Sequence, residues 1–195
     1  VSIRERNLLG RGQDIRLGGT IAARRQLVEF SFTQPYFLDR AMSAGVDIFR
    51  SQRDFQRESG YDYRTTGIVP RMAYPISEYL SQELRYTLRT DEITNVAAGA
   101  ADIIKDASGD ILLSGFGHTT SYDRRDDRQD PTDGYFLRLT NDVAGAGGDV
   151  KFLRTGVSAG FFYPLAPEYV IALLAETGHI FGLGTDRVRL QHRYF

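Results

Sequence analysis

The feature that most constrains this chain is the alternation of apolar and polar residues at every second position. In RQDPTDGYFLRLTND, at 128–142, a polar turn leads into Tyr135, Leu137 and Leu139, with Arg138 between the last two. Successive side chains of a β-strand point to opposite faces of the sheet. The segment therefore predicts a tight turn followed by a strand with one apolar and one polar face.

The same alternation recurs along the whole chain, whereas helical periodicity is nearly absent. It is clear in QDIRLGGTIA, QLVEFSFT, MSAGVDIF, TGIVPRMAY, LSQELRYTLR and LRTGVSAGF, and it is blurred in YVIALLAETG. In ILLSGFGHTTSY the pattern does not assign the faces. Together these segments predict about ten strands in an all-β, antiparallel, up-and-down arrangement.

Composition excludes several classes of protein. The chain has 195 residues, no cysteine and a formal net charge of -1 at pH 7. The lack of cysteine excludes disulfides and thiolate metal sites, and the near-neutral charge argues against nucleic-acid binding. No apolar run of about 18 residues is present, which excludes a transmembrane helix and leaves a closed β-barrel as the one route into a membrane. No leader pattern begins at Val1, so any signal peptide is expected to have been removed or never included.

The alternation separates two predicted faces. One face carries the charges that would line the lumen of a barrel: Glu29, Asp47, Arg71, Glu83, Arg85, Arg89, Arg138, Asp142, Arg154 and Glu176. The opposite face carries the residues that would contact lipid: Val28, Phe30, Phe32, Leu84, Tyr86 and Leu88. A soluble β-sandwich shares this alternation, with its polar face in solvent, so the pattern by itself leaves both architectures open.

Short turns and longer connections alternate along the chain, as in bacterial outer-membrane barrels. The short turns, which we predict to be periplasmic, lie near Pro35, Pro75, Asp133 and Pro164. The longer connections at 50–62 and 90–110 are predicted to be extracellular. Tyrosine and phenylalanine beside the short turns resemble the aromatic girdle of a membrane interface. Within 92–108, length and glycine content favour a loop over a short surface helix.

No catalytic, cofactor or metal site is predicted, and the chain is not expected to be an enzyme. The histidines lack metal-ligand spacing: His118, His179 and His192. Ser121 and Asp123 near His118, and Glu176 near His179, do not form a recognisable nucleophile–base set.

Two further kinds of segment favour ordinary structural interpretations. The glycine-rich segments at 145–149 and 182–187 are not followed by a helix pattern, so loop flexibility explains them better than phosphate binding. The charged run DRRDDRQD at 123–130 predicts a solvated strand end and turn. A salt-sensitive docking patch for a periplasmic partner is the alternative for that run.

Four segments, in order along the chain, resemble the periplasmic turns of the BamA family of outer-membrane protein assembly factors. They are ERNLLGRGQ at 5–13, SFTQPYF at 31–37, YPISEY at 74–79 and DPTDGYFLRL at 130–139. The resemblance implies a transmembrane barrel of about sixteen strands in the bacterial outer membrane, within the usual size range of such barrels. It also implies that the barrel folds and inserts other barrel proteins. The implied partners are outer-membrane lipid, unfolded barrel-protein clients and accessory assembly lipoproteins.

The chain also departs from the family pattern. POTRA domains are expected in front of the barrel and are absent from residues 1–195, and so is the beginning of the first strand. The remnant of this lateral-seam strand would be Ile3, Arg4, Glu5 and Arg6. The final segment, RLQHRYF, stops before the expected Arg-Gly-Phe motif, and the C-terminal strands are missing. We therefore expect a partial barrel domain with two open edges, which could not insert into a membrane by itself.

Two alternative functions remain open at this point. The first is a passive or selective outer-membrane porin or translocation channel, which would conduct ions. The second is a soluble β-sandwich binding module, which would fold cooperatively without detergent.

Overall fold

The computed structural model of the protein describes residues 1–183, in which ten strands form one sheet. The strands are β1 Ser2–Leu8, β2 Gln13–Ala22, β3 Arg25–Gln34, β4 Ser43–Asp54, β5 Asp62–Pro75, β6 Leu80–Thr94, β7 Gly109–Asp123, β8 Gly134–Ala144, β9 Phe152–Ala166 and β10 Tyr169–Gly182. Each strand is antiparallel to its neighbour in sequence, so the predicted all-β, up-and-down fold is confirmed. The sandwich alternative is wrong for residues 1–183, because a sandwich needs two sheets packed face to face.

Helical structure is confined to two short pieces of the described chain. A 3-10 turn covers Phe37–Asp39, and helix α1 covers Asp102–Asp106. The preference for a loop over a short helix within 92–108 is therefore wrong at Asp102–Asp106, where Lys105 Nζ lies 3.4 Å from Asp102 Oδ1. Between residues 1 and 183, no helix has both the length and the apolar character needed to cross a membrane.

The first turn explains why the motif ERNLLGRGQ needs its glycines. Leu9, Gly10 and Gly12 all have positive φ, at 54°, 71° and 66°. Glycine adopts this conformation without steric cost, whereas most residues do not. The side-chain oxygen of Asn7 accepts a hydrogen bond of 2.7 Å from the Gly12 N–H, and the Asn7 carbonyl accepts one of 3.0 Å from the Gly10 N–H. The turn therefore directs the chain from β1 back into β2.

The register assigns every strand residue to a face. Arg71 on β5 lies opposite Arg85 on β6, and Asp142 on β8 lies opposite Arg154 on β9. All ten predicted lumen charges share this face, which we call the polar face. All six residues predicted to contact lipid share the other, which we call the apolar face.

The space available beside a glycine residue differs between the two faces. On the polar face, a Cβ added at Gly117 would lie 2.3 Å from Asp142 Oδ1. On the apolar face, a Cβ added at Gly19 would have nothing closer than the Leu27 carbonyl oxygen, at 3.9 Å. Side chains converge on the inner side of a curved sheet and spread apart on its outer side. The contrast is therefore the one expected if the sheet curves towards its polar face.

A small apolar core lies at one end of the polar face, away from the turn at 9–12. Its buried members are Ile111, Leu113, Ala144, Val150 and Phe152. The 145–151 connection folds back onto β7 there: the Asp149 N–H donates to the Leu112 carbonyl over 2.8 Å, and the Leu112 N–H donates to the Asp149 carboxylate over 2.7 Å. The polar face therefore includes an apolar region at the end away from the 9–12 turn.

Connection length distinguishes the two ends of the sheet less sharply than predicted. The end that contains the 9–12 turn has a tight turn at 167–168 and a long connection at 124–133. The other end has a tight turn at 23–24 and a long connection at 95–108. The turn predicted at 130–134 is thus only the last part of a longer connection, because β7 ends at Asp123.

Candidate functional site

The polar face carries a network of ionic and hydrogen bonds that crosses several strands. Arg71 on β5 donates to Asp47 on β4 over 2.8 Å, and to Thr33 on β3 over 2.8 Å. The guanidinium lies over Gly45, where a Cβ would come within 3.1 Å of Arg71 Cζ. Glycine at 45 therefore leaves the space that lets one arginine join three strands.

A second network repeats this arrangement on the later strands. Arg85 on β6 reaches across Gly117 on β7 to Asp142 on β8, with 2.5 Å between Nη2 and Oδ1. Arg154 on β9 donates to the other oxygen of Asp142 over 2.8 Å. The hydroxyl of Thr119 accepts from Arg85 over 2.9 Å. Two guanidinium groups thus share one carboxylate, and hydrogen bonds to charged groups are among the stronger ones in proteins.

The other predicted charges on the polar face are paired less completely. Glu29 lies 3.1 Å from Arg16, and Glu83 lies 3.6 Å from Arg85. Within residues 1–183, Arg138 and Glu176 form no ion pair.

Sequence reasoning missed one buried acid, Asp91. Its carboxylate accepts from the Tyr63 hydroxyl over 2.9 Å and from Arg89 Nε over 3.0 Å, and only 1% of the residue is exposed. Arg85, Thr87, Arg89 and Asp91 occupy alternate positions of β6. Extending the predicted alternation by two residues beyond Arg89 would therefore have identified Asp91.

The predicted seam strand is β1. It pairs with β2 as predicted, with Ile3 opposite Leu17 and Glu5 opposite Ile15, but the register is irregular between Glu5 and Leu8. Apart from Leu8, all its residues are exposed. No other strand of the described chain pairs with its second edge, which leaves backbone donors and acceptors free there.

The residues of each candidate nucleophile–base group are divided between the two faces of the sheet: His118 and His179 lie on the apolar face, and Ser121 and Glu176 lie on the polar face. His118 lies on the apolar face, where its ring nitrogens contact Gln82 and Asn141 at 3.2 Å each. Ser121 lies on the polar face, opposite Arg138. Residues 1–183 contain no cluster suited to hold a metal ion. The third histidine, His192, lies outside the described residues.

The charged run at 123–130 is engaged mainly in folding its own connection. Asp123 binds Arg125, with 2.8 Å between Oδ2 and Nη2. The Thr132 hydroxyl and the backbone N–H groups of Thr132 and Asp133 donate to Asp126. These hydrogen bonds, above all the one from the hydroxyl, hold the pKa of the Asp126 carboxyl below its usual range. The geometry supports the structural interpretation of this run.

Comparison with known proteins places these features in a family. The Omp85 superfamily domain matches residues 7–195. The chain belongs to the Omp85 superfamily. Superfamily membership accounts for the sheet, for its separated faces and for the four turn segments with which the sequence resembles BamA.

The chain is similar along its whole length to two bacterial assembly factors. The outer membrane protein assembly factor BamA of Neorickettsia risticii is 28% identical over 98% of this chain and 26% of its own length. The BamA of Nitratidesulfovibrio vulgaris is 29% identical over 100% of this chain and 24% of its own. This Omp85 chain thus spans about a quarter of the length of these relatives. The similarity confirms the predicted resemblance to BamA and the predicted location in the bacterial outer membrane.

A solved structure shows the same fold. The crystal structure of BamA from Haemophilus ducreyi lacking POTRA domains 1–3 aligns with a TM-score of 0.83 at 22% identity. The alignment covers 99% of this chain and 40% of that one. The ten-stranded sheet therefore has the architecture of part of a BamA barrel.

Proposed function

We propose that this chain is part of an outer-membrane β-barrel domain that folds other barrel proteins and inserts them into the membrane. The relatives named as outer membrane protein assembly factors support this function. The structural observation that carries it is the irregular pairing of β1 with β2, whose register shifts between Glu5 and Leu8, because a loosely paired strand can exchange partners with an incoming strand by β-augmentation. Residues 1–195 would then form a partial barrel, which the longer protein completes with further strands and precedes with POTRA domains.

In this proposal the apolar face borders lipid and the polar face borders a water-filled lumen. The crowding at Gly117 supports an inward polar face, since a curved sheet brings its inner side chains together. Leu84 and Val28 are 39% and 57% exposed. Exposed apolar side chains of this kind are tolerated when hydrocarbon surrounds them. The arginine networks on the polar face would then be hydrated and would connect neighbouring strands across the lumen wall.

The proposed mechanism is non-covalent. Ile3, Arg4, Glu5 and Arg6 would form the seam strand, which pairs weakly with the last strand of the complete barrel. A client strand would replace that weak pairing and form backbone hydrogen bonds with β1. No nucleophile, metal or cofactor is required, since backbone pairing and transfer of apolar side chains into lipid provide the driving force. Unfolded barrel proteins would be the clients, and accessory assembly lipoproteins would be further partners.

The decisive experiment locks the seam in the full-length protein. Ile3→Cys is combined with a cysteine on the last strand, and client folding into vesicles is measured before and after oxidation. We expect client folding to fall on oxidation and to return on reduction, because the client strand needs the free edge of β1.

The matched control is a disulfide between Ile3→Cys and Leu17→Cys, which joins two residues that are already opposite each other and leaves the seam free. Oxidation of this control should leave client folding unchanged. If the seam-locked barrel folds clients at full rate, the seam mechanism is wrong. Steady ion conductance without any client folding would favour the porin alternative instead.

A further inference from the structure

The apolar face is interrupted on β6 to β9 by side chains that hydrogen-bond one another. The Thr120 hydroxyl donates to Gln82 Oε1 over 2.6 Å, and Gln82 Nε2 lies 3.2 Å from His118 Nδ1. On the other side of the ring, His118 Nε2 lies 3.2 Å from Asn141 Nδ2. The Thr155 hydroxyl donates to Asn141 Oδ1 over 2.8 Å. We call these five residues the polar ladder.

The register shows that the polar ladder belongs to the apolar face. His118 lies opposite Leu84 on β6, and Asn141 lies opposite His118 on β7. Leu84 is one of the residues proposed to contact lipid. The residues paired with Thr120 and His118 are Gln82 and Leu84 on β6 and Leu139 and Asn141 on β8, so polar and apolar side chains are mixed at this level of the apolar face. A polar group facing hydrocarbon is costly unless its hydrogen bonds are made.

The polar ladder has N–H donors for which it contains no acceptor. A neutral imidazole has one N–H and one acceptor nitrogen, so only one of the two amides can donate to it. The other amide accepts from the ring N–H through its oxygen, and its nitrogen then donates to the neighbouring threonine hydroxyl instead of its oxygen accepting from it. Each amide nitrogen carries two N–H groups, and the ladder uses one from each of Gln82 and Asn141. Within residues 1–183, the second N–H of each amide makes no hydrogen bond. The ladder therefore presents surplus donors on the apolar face.

A hollow of about 500 Å³ lies beside these donors. Its lining includes the apolar residues Pro70, Met72, Leu84, Tyr86, Phe116 and Val143. His118 and Asn141 of the polar ladder line it as well. Phe116 and Val143 are 63% and 48% exposed, so the hollow is accessible from the apolar face. The hollow thus combines an apolar surface with hydrogen-bond donors.

We propose that this hollow binds one acyl chain of a membrane phospholipid, whose ester carbonyl accepts the spare N–H of Asn141. An ester group accepts hydrogen bonds and donates none, so it complements the surplus donors. A second copy of this sheet would bring the same surplus donors, which argues against self-association through the ladder. The inference rests on the proposed orientation of the apolar face towards lipid, and it does not require the insertase activity.

The test uses the full-length protein in vesicles of phosphatidylethanolamine and phosphatidylglycerol. The vesicles also contain a phosphatidylcholine with a photoreactive diazirine in one acyl chain, linked either by an ester or by an ether. After illumination, mass spectrometry locates the labelled peptides. We expect the ester lipid to label the peptides around Phe116 and Val143 several-fold more than the ether lipid, which has no carbonyl. Equal labelling by both lipids would overturn the proposal.

Variants separate the hydrogen bond from the hollow. Asn141→Leu should reduce labelling by the ester lipid to the level of the ether lipid, whereas Val143→Trp, which fills the hollow, should reduce labelling by both. Thr90→Val is the matched control, since Thr90 is a polar residue of the apolar face outside the hollow, and it should leave labelling unchanged. Full labelling of both Asn141→Leu and Val143→Trp would contradict the proposal. The ester–ether comparison on the unaltered protein stands even if a variant fails to fold.

Two further outcomes identify which proposal has failed. In protein that carries a photoreactive residue in place of Phe116, cross-links between two copies of the protein, in place of lipid adducts, would show that a second copy occupies the hollow. Client folding is measured on the same samples. Lipid labelling without client folding would contradict the insertase function and leave the lipid site standing. Client folding without labelling at the hollow would contradict the lipid site and leave the insertase function standing.

Discussion

The edge of the sheet and its middle are built differently, although both consist of antiparallel strands. Between β1 and β2 the partners run from Ser2 to Glu5, the register then shifts, and only Leu8 pairs beyond it. Between β6 and β7 the partners run without a break from Leu80 to Ile93. Each backbone hydrogen bond adds only a modest net stability, and the register shift removes some of these bonds from the β1–β2 ladder, whereas the β6–β7 ladder is unbroken.

Side chains increase this difference. On β1, Arg4 binds Asp14 at an exposed site, where ion pairs contribute little. Between β6 and β7, the rings of Tyr86 and Phe116 lie 4.8 Å apart, and the Arg85 guanidinium bonds across the strands. The middle of the sheet is thus held together by both backbone and side chains, whereas the β1–β2 pair depends mostly on an interrupted backbone ladder. A protein that exchanges partners at a seam would place its weakest pairing there.

The largest expected effect is that of a charge on the apolar face in the middle of the sheet. Leu88→Arg, near the middle of β6, should in the complete barrel lower the free energy of unfolding by about 2–4 kcal/mol, because the guanidinium would face hydrocarbon. Urea unfolding in vesicles measures this change. Thr87→Arg on the polar face should cost much less, and so should Ile3→Arg at the edge. Equal losses at Leu88 and Thr87 would show that the faces are assigned wrongly.

The second prediction compares two glycines. Gly117→Val should lower the free energy of unfolding by about 1–3 kcal/mol, because the new side chain collides with Asp142 and Arg85 and overpacks the site. A Cβ at Gly19 in β2 has no atom closer than 3.9 Å, so Gly19→Val should be nearly neutral. The same unfolding measurement applies. A large loss at Gly19 with none at Gly117 would place the crowded face on the other side of the sheet.

The third prediction removes one charge from each region. Asp142→Asn should lower the free energy of unfolding by about 1–2 kcal/mol, because Arg85 and Arg154 lose a charged acceptor. The side chain of Asp142 is 17% exposed, so water replaces it only in part. Asp14→Asn at the edge should give no measurable change, since its partner Arg4 remains hydrated. Comparable losses at both sites would mean that the edge is held as firmly as the middle.

The smallest expected effect concerns local opening in the unaltered barrel. Amide hydrogens of β1 that bond to β2 should exchange with solvent at least roughly tenfold faster than those of β6 that bond to β7, a difference of about 1.4 kcal/mol in opening free energy. Mass spectrometry of deuterated peptides measures this. Similar protection of both strands would remove the energetic basis for a seam at β1.

The faces of the strands could be predicted wherever alternation is clean. For β3 and β6 the predicted faces agree with the register, because apolar and charged residues alternate strictly there. For β7 they could not be predicted, since Thr120 and His118 on the apolar face are as polar as Thr119 and Ser121 on the other. The polar ladder that satisfies these side chains comes from the neighbouring strands, which the local sequence of β7 does not reveal.

By itself the sequence determined the number of strands, their antiparallel order and the faces of most of them, because alternation and turn residues act over a few positions. Only the tertiary structure decided which residues meet across the sheet. Arg85 reaches Asp142, which is 57 residues away along the chain, and Gln82 meets His118 through the register of β6 and β7. Register depends on the alignment of whole strands and on the space that glycines such as Gly117 leave between them. That alignment is a non-local property, so no single segment of the sequence encodes it.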